Sequence, residues 1–389
     1  MPLLVVFLSA ADMALGRSGL LPAGATTCAL AGFLPLALVQ SAHQLPPPSV
    51  RRNTYPLAAL CALALMALAF SALPGATWDE GGKWIFLLPY AFLTALLATA
   101  AANNRLMTKV LPVALALSLA LLLWSICRDL TAPGTFTPVT ERSAGFSGNA
   151  NYTALVTAFL CAAALDYERT RPLLFDLVFI VLSLAIVLIS LSRSGLVVLG
   201  LLLTAYAAVR ITRRRLSVSE AKSAILSLMA AVALLLVLLP VFAPHLSALQ
   251  EQTRFRRALA GRQIDDGSAA SRLAAAQDAL NRINDSPIVG HGTGYARRMP
   301  ELPHNLYLQQ WVNNGLLGLV GYLAFLGISA ASFLRRRFFP GLMLMLVAAV
   351  GSFFSHNVLD QRPFLILYGL LLGLSSAPRC QPRQSKVGS

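Results

Sequence analysis

Apolar runs close to twenty residues long recur along nearly the whole of this 389-residue chain, and they constrain its fold more than any motif does. A helix needs roughly 20 such residues to cross about 30 Å of hydrocarbon. The runs predict about twelve helices, near residues 2–15, 20–42, 55–74, 83–102, 108–126, 150–166, 172–190, 195–210, 222–243, 303–333, 338–355 and 361–376. A soluble core cannot absorb so much apolar sequence: 57% of the residues are hydrophobic and only 12% are charged. The expected fold is therefore an all-α integral membrane protein. It forms one polytopic domain over residues 1–389, with a single long loop at 244–302 that contains short amphipathic helices.

Orientation follows from the basic residues, because short cytoplasmic loops retain Lys and Arg. With the N-terminus inside, seventeen of the 31 basic residues fall on the inner face, six in the short outer loops and eight in the long outer loop. Both termini are thus expected in the cytoplasm. The net charge of +15 is mostly this asymmetry, with attraction to anionic headgroups as a second contribution. Membrane lipids are expected partners and nucleic acid is not. The first apolar stretch has neither a basic leader segment nor a convincing cleavage site, so it reads as the first span. The cysteines form no disulfide framework and no CxxC pair, since Cys28, Cys61 and Cys161 fall inside spans while Cys127 and Cys380 lie on opposite sides.

The polar residues with chemical potential gather on the outer face, where His245, His291, His304 and His356 all map. The segment from Glu141 to Tyr152 is rich in glycine and asparagine and suits a tight re-entry into the membrane. There Asn149 and Asn151 fit either a helix cap or a ligand-shaping role. Between Pro172 and Arg210 only Asp176 and Arg193 are charged, so two short spans must turn within Ser190–Gly195 and hold Arg193 at or just below the outer interface. An arginine at that depth lines a cavity or meets an anion, or it snorkels to lipid phosphate. In the long loop, Leu273, Ala276, Leu280 and Ile283 recur at helical spacing over 268–285 and Pro287 follows. Such a helix can lie on the membrane surface. Its polar face carries Arg272 and Asp278, and a solvated surface charge is the commonest fate of a lone arginine.

His304 opens the next helix directly after this loop, in the run Pro303-His304-Asn305-Leu306-Tyr307-Leu308-Gln309-Gln310-Trp311. A titratable imidazole at that boundary, behind eight loop arginines, points to proton transfer on an anionic substrate. The competing reading is a cap or an interfacial belt formed with Asn305, Tyr307 and Trp311. His356, with Asn357, Asp360, Gln361 and Arg362, forms a small polar turn on the same face that can shape an acceptor site.

Taken together, Ser192-Arg193-Ser194-Gly195, Ser271-Arg272, Pro287-Ile288-Val289-Gly290-His291-Gly292-Thr293-Gly294, His304 to Gln309 and Asn314-Gly315-Leu316-Leu317-Gly318 resemble the O-antigen ligase and polymerase superfamily, which also includes bacterial O-linked oligosaccharyltransferases. The motifs cover roughly residues 140–330. The resemblance implies transfer of a glycan from undecaprenyl diphosphate to an acceptor hydroxyl, on the periplasmic side of the bacterial inner membrane. It makes His304 the general base and gives Arg193 and Arg272 the donor diphosphate. Asn149, Asn151, Asn305, Tyr307, His356 and Arg362 are the candidates for shaping the substrate site. The donor carries its own activation in the anomeric phosphate bond, so no cofactor is expected, and the chain shows no Walker-type loop. The long loop's acids form no Asp-x-Asp, and no metal is expected either.

Ligase and polymerase need the same arginines and histidine. One dominant loop of about 60 residues favours the ligase, which joins O-antigen to a sugar hydroxyl of lipid A-core and completes lipopolysaccharide; a polymerase is expected to show two sizeable loops. A non-enzymatic transporter of lipid-linked sugars would carry charges near mid-membrane, or broken helices in paired halves. Here the spans are nearly free of charge, and Asp12 and Asp176 lie close to span ends.

Overall fold

Long stretches of Leu, Ala and Val with few internal breakers form helices, and in the computed structural model helices account for all the regular structure among the described residues, which are 2–18, 47–77, 105–138, 143–167, 171–213 and 267–376. The helices are α1 (Pro2–Leu8), α2 (Ala11–Arg17), α3 (Pro47–Ala69), α4 (Arg105–Thr131), α5 (Ala150–Ala164), α6 (Leu173–Ile189), α7 (Arg193–Arg213), α8 (Gly267–Asp285), α9 (Leu306–Arg335), α10 (Phe339–Gly351) and α11 (Arg362–Leu374). Segments of α3 with its terminal turn, α4, α7 and α9 are long and apolar enough to cross a membrane, and α5, α6, α10 and α11 are shorter apolar helices. The expected spans at 20–42, 83–102 and 222–243, and loop residues 244–266, lie outside the described residues.

The expected first span, 2–15, is broken. Ala10 adopts a left-handed conformation (φ +58°) between α1 and α2, which an L-residue tolerates singly but not within a helix. Ser9 helps to end α1, its hydroxyl donating to the Val6 carbonyl at 3.2 Å.

At the centre of the bundle lies α5, buried along nearly its whole length and packed against α4, α6, α7, α10 and α11. Its alanines permit this, since small side chains let helix backbones approach closely. Ala154 sits against Gly195 of α7, and Leu155 against Gly351 of α10. A helix surrounded on all sides must be apolar on all sides, and Phe159, Leu160 and Cys161 are fully enclosed.

At the end of the bundle where α5 finishes and α6 begins, one buried carboxylate holds three helices together. Asp176 accepts from Arg210 Nη1 at 2.7 Å and from the Tyr206 hydroxyl at 2.5 Å. It also accepts the Asp166 amide at 3.0 Å, with Arg171 at 3.8 Å. A buried charge is tolerated when its oxygens are all engaged in this way, which accounts for an aspartate in an otherwise apolar run.

A further expectation is corrected. The single helix expected at 303–333 is interrupted at Asn314 (φ −119°, ψ 16°) and Gly315 (φ +62°, ψ −163°). Carbonyls freed at the break, those of Val312 and Asn313, accept the amides of His291 (3.0 Å) and Gly292 (2.7 Å), and the Leu316 amide donates to the Pro287 carbonyl at 2.9 Å. The glycine-rich loop thus completes the hydrogen bonding of the broken helix. Thirty residues of helix would run about 45 Å, longer than about 30 Å of hydrocarbon. The polar stretch Gln309, Gln310, Asn313, Asn314 marks the part that projects.

In α8, Ala279 and Ile283 pack on Ala296, Met299 and Val312, and Ala275 is buried as well. Leu273 and Leu280, on the apolar stripe expected of a helix lying on the membrane surface, are 62% and 47% exposed. The alanines allow α8 to seat closely on α9 and turn the leucines outward, as an interfacial helix presents them to lipid.

Candidate active site

His304 stands one residue before the cap of α9, and the local sequence explains why it is available for chemistry. Asn305 is the cap: its side-chain oxygen accepts the amides of Tyr307 (2.9 Å) and Leu308 (3.2 Å), from an extended backbone at φ −144°, ψ 115°. Asn149 does the same for α5 at φ −139°, ψ 115°, accepting the amides of Asn151 (3.0 Å) and Tyr152 (3.1 Å). Capping duty therefore falls on the asparagines, and the His304 imidazole is outside it. Replacing Asn305 with alanine is expected to cost about 1 kcal/mol. Thermal unfolding of the purified protein checks this, with Asn305→Ser recovering most of the loss.

The start of α9 is fastened to the end of α10. The Leu306 amide donates to the Ser352 carbonyl at 2.8 Å, and the Tyr307 hydroxyl donates to the Ala349 carbonyl at 2.8 Å. Tyr307, expected to shape a substrate site, instead spends its hydroxyl on this joint and packs its ring against Phe353, with centroids 4.7 Å apart. This fastening carries the turn after α10 to His304. The rings of His304 and His356 face each other with centroids 5.3 Å apart and planes inclined by 51°.

Charge at this pair is mostly positive. His304 keeps much of its surface exposed, yet the covered part of its ring loses solvation, and this first, then the nearby Arg272 guanidinium, holds it below the ordinary imidazole range; Glu301 pulls the other way. His356 is pushed down to about 4, by burial first and then by His304 and Arg297. Both imidazoles are thus neutral at neutral pH and free to accept a proton or a hydrogen bond.

Arg193 and Asn151 belong to an adjoining group. Arg193 is the first residue of α7 rather than part of the preceding turn, and it is exposed. Beside it, the Ser192 hydroxyl donates to the side-chain oxygen of Asn151 at 3.0 Å. A guanidinium at a helix N-terminus adds its charge to amides that already favour anions. Asn151, Ser194 and Ser355 line a small crevice, with room for about one water molecule, between α5, α7 and the turn after α10, and Leu155 and Val198 complete its lining. Ser355 is next to His356 in sequence, so the crevice adjoins the imidazole pair.

Arg362, the remaining candidate, pairs with Asp12 of α2 and so ties the N-terminal helices to α11. His291 is structural as well: its Nε2 donates to the Arg282 carbonyl at 2.8 Å, and its ring stacks on Tyr295. Among the described residues, no three His, Cys, Asp or Glu side chains gather as a metal-binding group. Sequence reading missed Arg297, whose charge acts on His356, because nothing in a basic loop distinguishes one arginine from the next.

A bundle of apolar helices with imidazoles, guanidinium groups and a hydroxyl-lined crevice at one end defines a multi-pass helical membrane protein with a polar site at the ends of its helices. Residues 178–323 match the family model described as O-antigen ligase. Over this segment the chain is similar to the O-antigen ligase family. The matched segment contains Arg193, Arg272 and His304, whereas His356 lies beyond it. No curated protein matches the chain.

Proposed function

We propose that the protein transfers O-antigen polysaccharide from undecaprenyl diphosphate to a sugar hydroxyl of lipid A-core, completing lipopolysaccharide at the periplasmic face of the bacterial inner membrane. The observation that carries this reading is that His304 lies within reach of the Arg272 charge and beside a second neutral imidazole, in a segment that matches an O-antigen ligase family. The fold around it follows the multi-pass topology read from the sequence, about twelve apolar segments of which the first and the one after the long loop are broken, with both termini in the cytoplasm and 244–302 as the periplasmic loop.

In the reaction, the acceptor oxygen bonds to the anomeric carbon as the bond from that carbon to the diphosphate oxygen breaks. The electron pair leaves with undecaprenyl diphosphate, and the acceptor's proton passes to His304. Arg193 and Arg272 stabilise the charge that grows on the departing diphosphate; guanidinium groups suit this because they form bidentate contacts with phosphate near low-dielectric hydrocarbon. The leaving group is already a diphosphate, so the step needs neither a nucleotide nor a metal ion. A single displacement inverts the anomeric centre.

Complementation tests the reading. The gene is expected to restore long-chain lipopolysaccharide to a ligase-null strain and not to a polymerase-null strain, read as a ladder on a gel. Arg193→Ala and Arg272→Ala, at unchanged membrane abundance, should each remove the ladder. Rescue of the polymerase-null strain alone would make the chain a polymerase, and wild-type behaviour of both arginine variants would remove the diphosphate role.

A further inference from the structure

The turn between α10 and α11 holds polar atoms that the reaction above does not use. His356 Nδ1 is enclosed without a hydrogen-bond partner, and so are both amide atoms of Gln361, whose surface is entirely buried. Buried polar groups are nearly always paired, and an unpaired cluster calls for an explanation. The turn is firmly held: Ser355 donates to the side chain of Asn357 at 2.5 Å, and Ser352 anchors the start of α9. His356 is therefore presented to His304 by fixed backbone on both sides.

We propose that His356 is a substrate-contacting residue that hydrogen-bonds a sugar hydroxyl of the glycolipid acceptor, adjacent to the hydroxyl deprotonated by His304, and so sets acceptor specificity. This rests on His304 acting as the base in the proposed transfer. The proton that His304 takes comes from the acceptor, so the acceptor lies against the His304 imidazole, beside which the His356 ring packs. With Nδ1 enclosed, Nε2 is the imidazole nitrogen left to meet a sugar hydroxyl, which can donate to it or accept from it. Its surroundings keep His356 neutral, with Arg297 and His304 adding to the effect of burial. That makes it a poor carrier for the proton held by His304 and a good hydrogen-bonding partner for a sugar. A structural histidine would be expected to engage Nδ1 within the protein, as His291 engages its Nε2.

The test uses the full-length protein in lipid nanodiscs, a lipid A-core glycolipid as acceptor and undecaprenyl-diphosphate-linked O-antigen as donor. Three variants separate the roles: His356→Phe keeps a ring against His304 without nitrogen, His356→Gln keeps a donor and an acceptor, and His356→Ala removes both. His356→Phe and His356→Ala are expected to raise the acceptor KM at least tenfold, with the donor KM unchanged and kcat within threefold of wild type, and His356→Gln to recover most of the loss. Acceptor affinity measured without donor should fall by the same factor, whether or not the wild type turns over. The proposal is overturned if His356→Phe binds acceptor as the wild type does, or if kcat falls at unchanged acceptor KM. It is equally overturned if the wild type binds no acceptor. A wild type that binds acceptor and transfers nothing refutes the transferase reading instead, and the binding series still decides the role of His356.

Discussion

Replacing His304 with alanine is expected to lower glycan transfer by about 10²- to 10⁴-fold, the range that a positioned general base contributes, without changing the amount of protein in the membrane. The pH profile carries more information than the loss itself. A base works in its unprotonated form, so wild-type kcat/KM should be flat at neutral pH and fall as the pH drops through the His304 pKa. Burial and Arg272 hold that pKa below the ordinary 6.5, against the opposing pull of Glu301; the acid limb therefore lies below pH 6.5. Arg272→Ala should weaken this effect and shift the limb toward higher pH in whatever activity remains. The residual activity of His304→Ala should show no such limb. Measurement of kcat/KM between pH 5 and 8 checks each point, and an acid limb that survives in His304→Ala would give the base role to another group.

Gly315→Ala should have the largest effect on folding. Gly315 combines φ +62° with ψ −163°, a region open almost only to glycine, and a non-glycine residue there costs about 1–3 kcal/mol in backbone strain alone. Space is a second obstacle, since a Cβ would run into the carbonyl of Ile288. The loop from Pro287 to Thr293 must then move away from α9, exposing the carbonyls of Val312 and Asn313 that it satisfies. The expected total is about 3 kcal/mol or more, seen as a lower unfolding temperature and faster proteolysis within residues 286–300. Gly327→Ala serves as a comparison, because Gly327 lies in the same helix, does not adopt a positive φ and has open space where a Cβ would go; no loss is expected there.

Much of the fold was legible in the sequence because hydrocarbon imposes a simple rule: apolar residues persist until the helix has crossed it. Helices α4 to α7, α10 and α11 fall within a few residues of where the apolar runs predict them. The break in α9 was not legible. Its cause is a partner segment more than twenty residues earlier, and Asn314-Gly315 alone reads as an ordinary weak point in a long helix. The protein-facing side of α8 was not legible for a related reason: Ala275 and Ala279 are too small to dominate a hydrophobic pattern, yet both are buried.

At the site, Asn149 and Asn305 serve as helix caps, one of the readings open to each in the sequence. The contact between His304 and His356 could not be anticipated from residues 52 positions apart, because it depends on how α10 returns to the start of α9. Single titratable residues were legible; their pairing was not.

The carboxylate of Asp176 has a consequence for how a bulky substrate gains access. Where it binds Arg210, Tyr206 and the Asp166 backbone, helices α5, α6 and α7 are riveted, and parting them would strand a charge in a low-dielectric interior. At their other ends a neutral hydroxyl-to-amide contact joins Ser192 to Asn151, and the crevice is there. The three helices thus behave as a clothes-peg: the spring lies at the end remote from the site, and the jaws are the end that carries Arg193.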